Sequence, residues 1–313
     1  MQTRPYILRR VASLIPVVVG VTLITFALMG LVPGDPAEII AAYGQEADPS
    51  AKEIAAVRAQ LGLDLPLHLR YLRWLSRAVR GDLGRSLRTG APVWREIAVR
   101  LPATLELAVG GMGIGLLIAL PIGILAAVRR DSLLDQISRL LALLGASLPS
   151  FWLGAMLILL FAVRLGWLPS MGRGGLDHYV LPSCALGVGA SALLMRLTRA
   201  SLLETLDQDF IRTARAKGLP GRAVVLGHAL KPSLLPVVTV LGLQLGHLLG
   251  GAVIIETIFA WPGLGMFLIE SILGRDFPVI QGFALFMGLI FIAINFAVDM
   301  AYLWLDPRIR YER

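Results

Sequence analysis

The sequence predicts an all-α integral membrane protein with six transmembrane helices, and three observations predict it. Hydrophobic residues make up 56% of the 313 and charged residues only 16%, against about 25% charged in an ordinary soluble domain. The apolar residues gather in runs of about 20 or more, the length that crosses a bilayer. Each run is apolar on every face, as a lipid-buried helix requires, because hydrocarbon cannot satisfy free backbone polar groups. One transmembrane domain is expected over residues 1–313, with no separate soluble catalytic domain.

The first run, Tyr6 to Leu31, is longer than a signal-peptide core and ends in Val-Pro-Gly-Asp without a small-residue cleavage pattern, so it reads as a retained helix. Spans are predicted near residues 9–31, 102–127, 136–163, 180–203, 233–257 and 279–304. Orientation follows from the short loops. Arg4, Arg9 and Arg10 precede the first span, Arg129 and Arg130 follow the second, and Arg308, Arg310 and Arg313 follow the sixth. Arg212, Arg215, Lys217, Arg222 and Lys231 lie between the fourth and fifth spans, whereas the other side has only Arg164, Arg173 and Arg275 in its short loops. Positive loops stay inside, so both termini are expected in the cytoplasm. The net charge of +8 is spread over these clusters and forms no basic domain, so lipid is the expected partner and nucleic acid is not.

The stretch 34–100 carries ten Lys or Arg residues yet lies outside if six spans alternate. Loops longer than about 60 residues largely escape the charge rule. Within it, Ala51 to Leu61 and Leu67 to Val79 read as short amphipathic helices separated by Gly62-Leu63-Asp64-Leu65-Pro66, forming an extracytoplasmic cap.

The cytoplasmic loop 204–232 contains a helix-compatible stretch from Asp209 to Lys217, with an acid at its start and Gly218 placed to stop it. Ala214 and Gly218 are four apart, and a short helix with a small-residue face suits a groove on a partner; a plain connector between spans is the other reading. In the fifth predicted span Gly242, Gly246 and Gly250 recur every four residues, which allows close helix packing or flanks a pathway. Glu106, Arg139, Arg196, Glu256 and Asp299 lie in or near the spans. Such groups are costly in lipid and should face the bundle interior, pair, or, for Arg139 and Arg196, snorkel outward. After the fifth span, Trp261 suits an interface and Pro262-Gly263 forces a turn before a short helix from Leu264 to Leu273.

The loop Arg212-Thr-Ala-Arg-Ala-Lys-Gly218, followed by His228-Ala-Leu-Lys-Pro-Ser-Leu-Leu-Pro236, resembles the EAA-type coupling loop of binding-protein-dependent ABC importer permeases. The branch it looks most like transports dipeptides, oligopeptides, glutathione or nickel. Similarity runs the length of the chain, through Leu31-Val-Pro-Gly-Asp-Pro36, Gly81-Asp-Leu-Gly-Arg-Ser86, Leu101-Pro-Ala-Thr-Leu-Glu-Leu107, Ile255-Glu-Thr-Ile-Phe-Ala-Trp-Pro-Gly-Leu-Gly265 and Asp306-Pro-Arg-Ile-Arg310. The family's opening Glu-Ala-Ala is Arg212, Thr213 and Ala214 here, so a contact made by that glutamate does not transfer.

The resemblance implies a type I importer permease fold in a prokaryotic inner membrane and half of a translocation pathway for a peptide-like solute. The implied partners are a second homologous permease, two ATP-binding cassette ATPase subunits and an extracytoplasmic substrate-binding protein. ATP and magnesium belong to the ATPase partners, and this chain binds no cofactor or metal. Asp209, Phe210, Arg212, Thr213, Ala214, Arg215, Ala216, Lys217 and Gly218 are the implied contact to the ATPase, and Trp261, Pro262 and Gly263 the implied contact to the binding protein.

Other classes fit less well. Lys52, Lys217 and Lys231 are followed by Glu, Gly and Pro, so no phosphate-cradling Gly-x-x-x-x-Gly-Lys-Ser/Thr loop is present and the chain is not an ATPase. Ser191 and His247 would serve an intramembrane protease, but the sequence Gly-Ala-Ser-Ala lacks the second glycine of such sites. His68, His178, His228 and His247 lack zinc-ligand spacing, and Cys184 is the only cysteine. A stand-alone proton-coupled carrier relaying through Glu106, Glu256 and Asp299 leaves the basic loop unexplained. His247 is the only histidine well inside a span and no cysteine accompanies it, which favours a di- or oligopeptide as the expected solute, with glutathione and nickel as the alternatives.

Overall fold

A computed structural model describes residues 3–31, 36–42, 49–61 and 63–305. In chain order its α-helices are α1 (Thr3–Leu31), α2 (Pro36–Ala42), α3 (Ala51–Leu61), α4 (Leu67–Val79), α5 (Val93–Val128), α6 (Leu133–Ser147), α7 (Ser150–Leu157) and α8 (Leu176–Leu206). They continue with α9 (Asp209–Ala216), α10 (Gly221–Ala223), α11 (Leu230–Ser233), α12 (Leu235–Ile258), α13 (Leu264–Leu273) and α14 (Phe277–Leu305). Single π-helical stretches extend α7 over Ile158–Arg164 and join α10 to α11 over Val224–Ala229. The described residues are all-helical, without a named strand.

Among them, α5, α8 and Phe277–Val298 of α14 are each long and apolar enough to cross a membrane. Two bent pairs raise that number to five if each pair is one span. The predicted straight span 136–163 is broken instead, with Leu133–Ser147 and Ser150–Arg164 meeting at 99°. Leu148 sits at ψ 123° just before Pro149, as the clash of a proline ring with the preceding residue demands. A second bend, of 50°, separates Gly221–Ser233 from Leu235–Gly250, where Pro236 has no N–H to continue the ladder. Among the residues whose side chains are described, α1 contributes the apolar stretch Ala12–Ala27.

The chain divides into two compact units. The first draws on Met1–Leu101 and Phe267–Ala293. Here α3 opens with a reciprocal cap: the Ser50 hydroxyl and amide donate to Glu53 at 2.7 and 2.8 Å, and the Glu53 amide donates back to Ser50 Oγ at 3.3 Å. The Ser50 hydroxyl and amide hold the Glu53 carboxyl below its ordinary pKa. Helix α4 seats Tyr71 and Trp74 against Phe26 of α1, with ring centroids 5.5 and 6.1 Å away. Ser86 donates to Asp276 at 2.5 Å, Arg88 pairs with Glu270 at 2.6 Å, and the Arg100 guanidinium lies 4.1 Å over the Phe267 ring.

The second unit draws on Pro102–Met266 and Ile294–Arg313, with α8 at its centre. Residues Leu181 to Leu202 of α8 are largely buried Ala, Gly, Ser and Leu. A Cβ on Gly111 would meet Leu186 at 2.8 Å, and one on Gly187 would meet the Gly111 carbonyl at 2.7 Å. These two helices therefore approach through mutual glycines, as membrane helices without a hydrophobic driving force tend to do. On α12, Gly242 is closed in by Val298 of α14, whereas Gly250 faces open space. The glycine row predicted on α12 is thus a packing contact at Gly242, and the main glycine interface lies between α5 and α8.

Candidate functional site

Helix α9 follows α8 after a turn at Asp207 and Gln208. Asp209 occupies its first turn, where a carboxylate suits the helix dipole. Gly218 ends it at φ +78°, a left-handed conformation that costs glycine little. Its inward face is Ile211 and Ala214, both buried against Ala127, Leu202, Val224 and Ala229. Its outward face carries Phe210, 48% exposed, with Arg212, Thr213, Arg215, Ala216 and Lys217, all exposed. Arg212 makes a surface pair with Asp209 at 3.2 Å, an interaction worth little in water.

Ala214, expected on the partner-facing side, is instead 5% exposed and packs with Ile211 in the seat of the helix. What α9 offers outward is a half-exposed aromatic ring and, on its other exposed sides, Arg212, Arg215 and Lys217.

Seen from the residues upward, the turn after α12 is the opposite case. Glu256 is fully buried, and its Oε1 accepts the Thr104 hydroxyl at 2.6 Å while Oε2 accepts the Gly265 and Met266 amides at 2.7 and 3.0 Å. Thr104 in turn accepts the Leu264 amide at 2.8 Å. The first amides of α13 are thereby capped by a carboxylate from another helix, which is why an acid is stable in this place. Trp261, 2% exposed, donates its indole N–H to the Ala103 carbonyl at 2.9 Å. A side chain on Gly263 would collide with the Glu256 carboxylate. Of the three residues expected at a binding-protein contact, Trp261 and Gly263 are buried and Pro262 alone is exposed.

Glu106 and Arg173 form a two-pronged pair at 3.0 and 2.6 Å on a partly exposed surface. The side chain of Asp299 lies outside the described residues. Arg139, half exposed, sits 3.6 Å from Asp135, and Arg196 is exposed.

Sequence reasoning missed a buried ion pair: Asp135 at the start of α6, fully buried, accepts Arg199 of α8 at 2.6 and 2.7 Å. The Ser132-x-x-Asp135 cap and the spacing of Arg199 from Arg196 were its sequence traces. Ser191 returns its hydroxyl to the Val188 carbonyl at 2.8 Å, as a helix residue does.

The chain matches the family described as the inner membrane component of binding-protein-dependent transport systems over residues 119–311, and that family's N-terminal model over residues 3–108. It belongs to this permease family. The permease is 45% identical over 307 residues to glutathione transport system permease proteins GsiC of Salmonella paratyphi A and Escherichia coli, covering 98% of this chain and 99% of each relative. Among solved structures, an inward-facing MetNI methionine ABC transporter matches with a TM-score of 0.58 at 22% identity, over 67% of this permease and 96% of that chain. An amino acid ABC transporter crystallised with histidines matches with a TM-score of 0.53 at 17% identity, over 66% of this permease and 92% of that chain. The type I importer permease fold is therefore shared.

The permease is the membrane subunit of an ABC importer of the peptide, glutathione and nickel branch. A stand-alone carrier does not fit this family, which is binding-protein-dependent by description. Among the described residues no group of three His, Cys, Asp or Glu side chains is placed to hold a metal ion.

Proposed function

We propose that the permease forms half of the pathway for glutathione or a related short peptide and is driven through α9 by a cytoplasmic ATPase. The single observation that carries the coupling role is the split of α9, with Ile211 and Ala214 anchored and Phe210 left half exposed, and with Arg212, Arg215 and Lys217 on its other exposed sides. A helix anchored to α5 and α8 transmits a push to the spans, and a half-exposed aromatic ring is the type of residue that dominates interface energy. The 45% identity to glutathione permeases over nearly the whole chain supports the substrate class.

In this reading six spans place both termini in the cytoplasm and the 34–100 segment outside. Two ATPase subunits, which bind the ATP and magnesium, and a second permease complete the importer. Closure of the ATPases pushes α9, and the helices rock from an inward- to an outward-facing state to receive solute from the docked binding protein. A contact by that protein on the turn after α12 falls on Pro262, the exposed residue of that turn.

The test is Phe210→Ala in the complete importer reconstituted into vesicles with binding protein and ATP. Loss of an aromatic anchor of about 2 kcal/mol weakens docking roughly thirtyfold, so ATP-driven glutathione uptake collapses while the permease itself unfolds at an unchanged temperature. Normal uptake per ATP in this variant overturns the coupling role, and uptake of dipeptides with no uptake of glutathione by the intact importer overturns the substrate.

A further inference from the structure

Within the first unit, α1, α4 and the start of α14 surround a cavity of about 160 Å³, several times the ~30 Å³ that one water occupies in the liquid. Arg70, Arg73 and Arg77 line it from one face of α4, spaced i, i+3 and i+7. None of these guanidiniums has an ion pair among the described residues. Gln281, 7% exposed, lines the same cavity. Asp82 is the one acid in the lining, and its Oδ1 is already engaged by the Gly84 amide at 3.0 Å. Three cations against one acid in the lining select an anion rich in acceptor oxygens.

The setting identifies what carries the anion. Phe26 and Trp74 make the cavity's aromatic wall, and Tyr71 ties α4 to the apolar α1 through a 2.8 Å contact with Thr22. On a different face α4 exposes Leu69, Leu72 and Val79, at 43, 55 and 79%. A helix with arginines on one face, leucines on another and aromatic rings between them is built to lie in a membrane interface. We propose that this cavity holds the phosphodiester of an anionic phospholipid, with the acyl chains running along the exposed leucines of α4. The basic excess of the 34–100 segment, which membrane orientation leaves unexplained, then has a use. The proposal relies on the membrane setting of the family and on neither the substrate nor the role of α9, so the two tests fail separately.

Native mass spectrometry of the full-length permease, extracted in neutral detergent and offered phosphatidylglycerol, phosphatidylcholine of the same chains, or inorganic phosphate, reads the site directly. The expected result is a retained phosphatidylglycerol whose dissociation constant rises at least tenfold in Arg70→Gln/Arg73→Gln/Arg77→Gln, with phosphatidylcholine retained less. Equal retention of phosphatidylglycerol by that variant, or of the two lipids by the native chain, overturns the proposal. Inorganic phosphate binding as tightly as phosphatidylglycerol also overturns it, since the site would then take a free anion.

Because the triple variant removes much charge, Arg73→Gln alone supplies a milder second arm. It should unfold at the same temperature without lipid and lose part of the rise in unfolding temperature that phosphatidylglycerol gives the native chain. Retention of the full rise overturns the assignment.

Discussion

Two turns that follow long helices use their polar groups in opposite ways. In the turn after α12, the Glu256 carboxylate, the Thr104 hydroxyl, the Trp261 indole and the first amides of α13 satisfy one another, and almost nothing points out. The turn after α8 leads into α9, which buries only Ile211 and Ala214 and leaves an aromatic ring and several cations in solvent. The first arrangement is closed and therefore a scaffold. The second keeps unspent binding capacity on its surface, the property of a docking element.

That contrast is sharpest at Glu256. Glu256→Ala leaves the Thr104 hydroxyl and the Gly265 and Met266 amides unpaired; at about 1–3 kcal/mol for each buried orphan, a combined loss of about 4 kcal/mol is expected in thermal unfolding of the detergent-solubilised permease. Glu256→Gln, which keeps an acceptor oxygen, should recover much of it. A small effect of the alanine change would mean that the closed turn is not a scaffold.

Next in size, Ile211→Ala should cost about 3 kcal/mol, as buried Ile-to-Ala changes do, and should loosen α9 enough to raise its proteolysis while the α13 turn stays protected. Equal sensitivity of the two turns would erase the distinction. Gly263→Ala forces a methyl against the Glu256 carboxylate, and overpacking of this type costs about 2 kcal/mol; it should lower the unfolding temperature without touching ATP coupling in any folded fraction. Smallest is the stability effect of Phe210→Ala, within about 0.5 kcal/mol as for other surface positions, read in the same unfolding experiment. A large loss would place Phe210 in the core and remove it as a docking residue.

Helix positions of local origin were legible in the sequence. The expected helices Ala51 to Leu61, Leu67 to Val79 and Leu264 to Leu273 form with those bounds, because amphipathic spacing and Gly or Pro stops act within a few residues. The end of α9 at Gly218 was readable for the same reason. The 99° break at Leu148 and Pro149 was hidden by a hydropathy reading, since an apolar run stays apolar whether it is straight or bent; Pro149 was its only trace.

By itself the sequence determined the membrane solvent, the helical class and the family. Those follow from summed apolar character and from short motifs, which need no knowledge of what packs on what. Only the tertiary structure decided which side of each motif faces the protein. Ala214 turns inward and Phe210 outward, Trp261 is buried and Pro262 is exposed, and Glu256 joins the start of α13 to Thr104 of the distant α5. The physical reason is that a residue's role depends on where its hydrogen-bond partners and close contacts come from. Thr104 lies 152 residues from Glu256, and no local pattern records that approach.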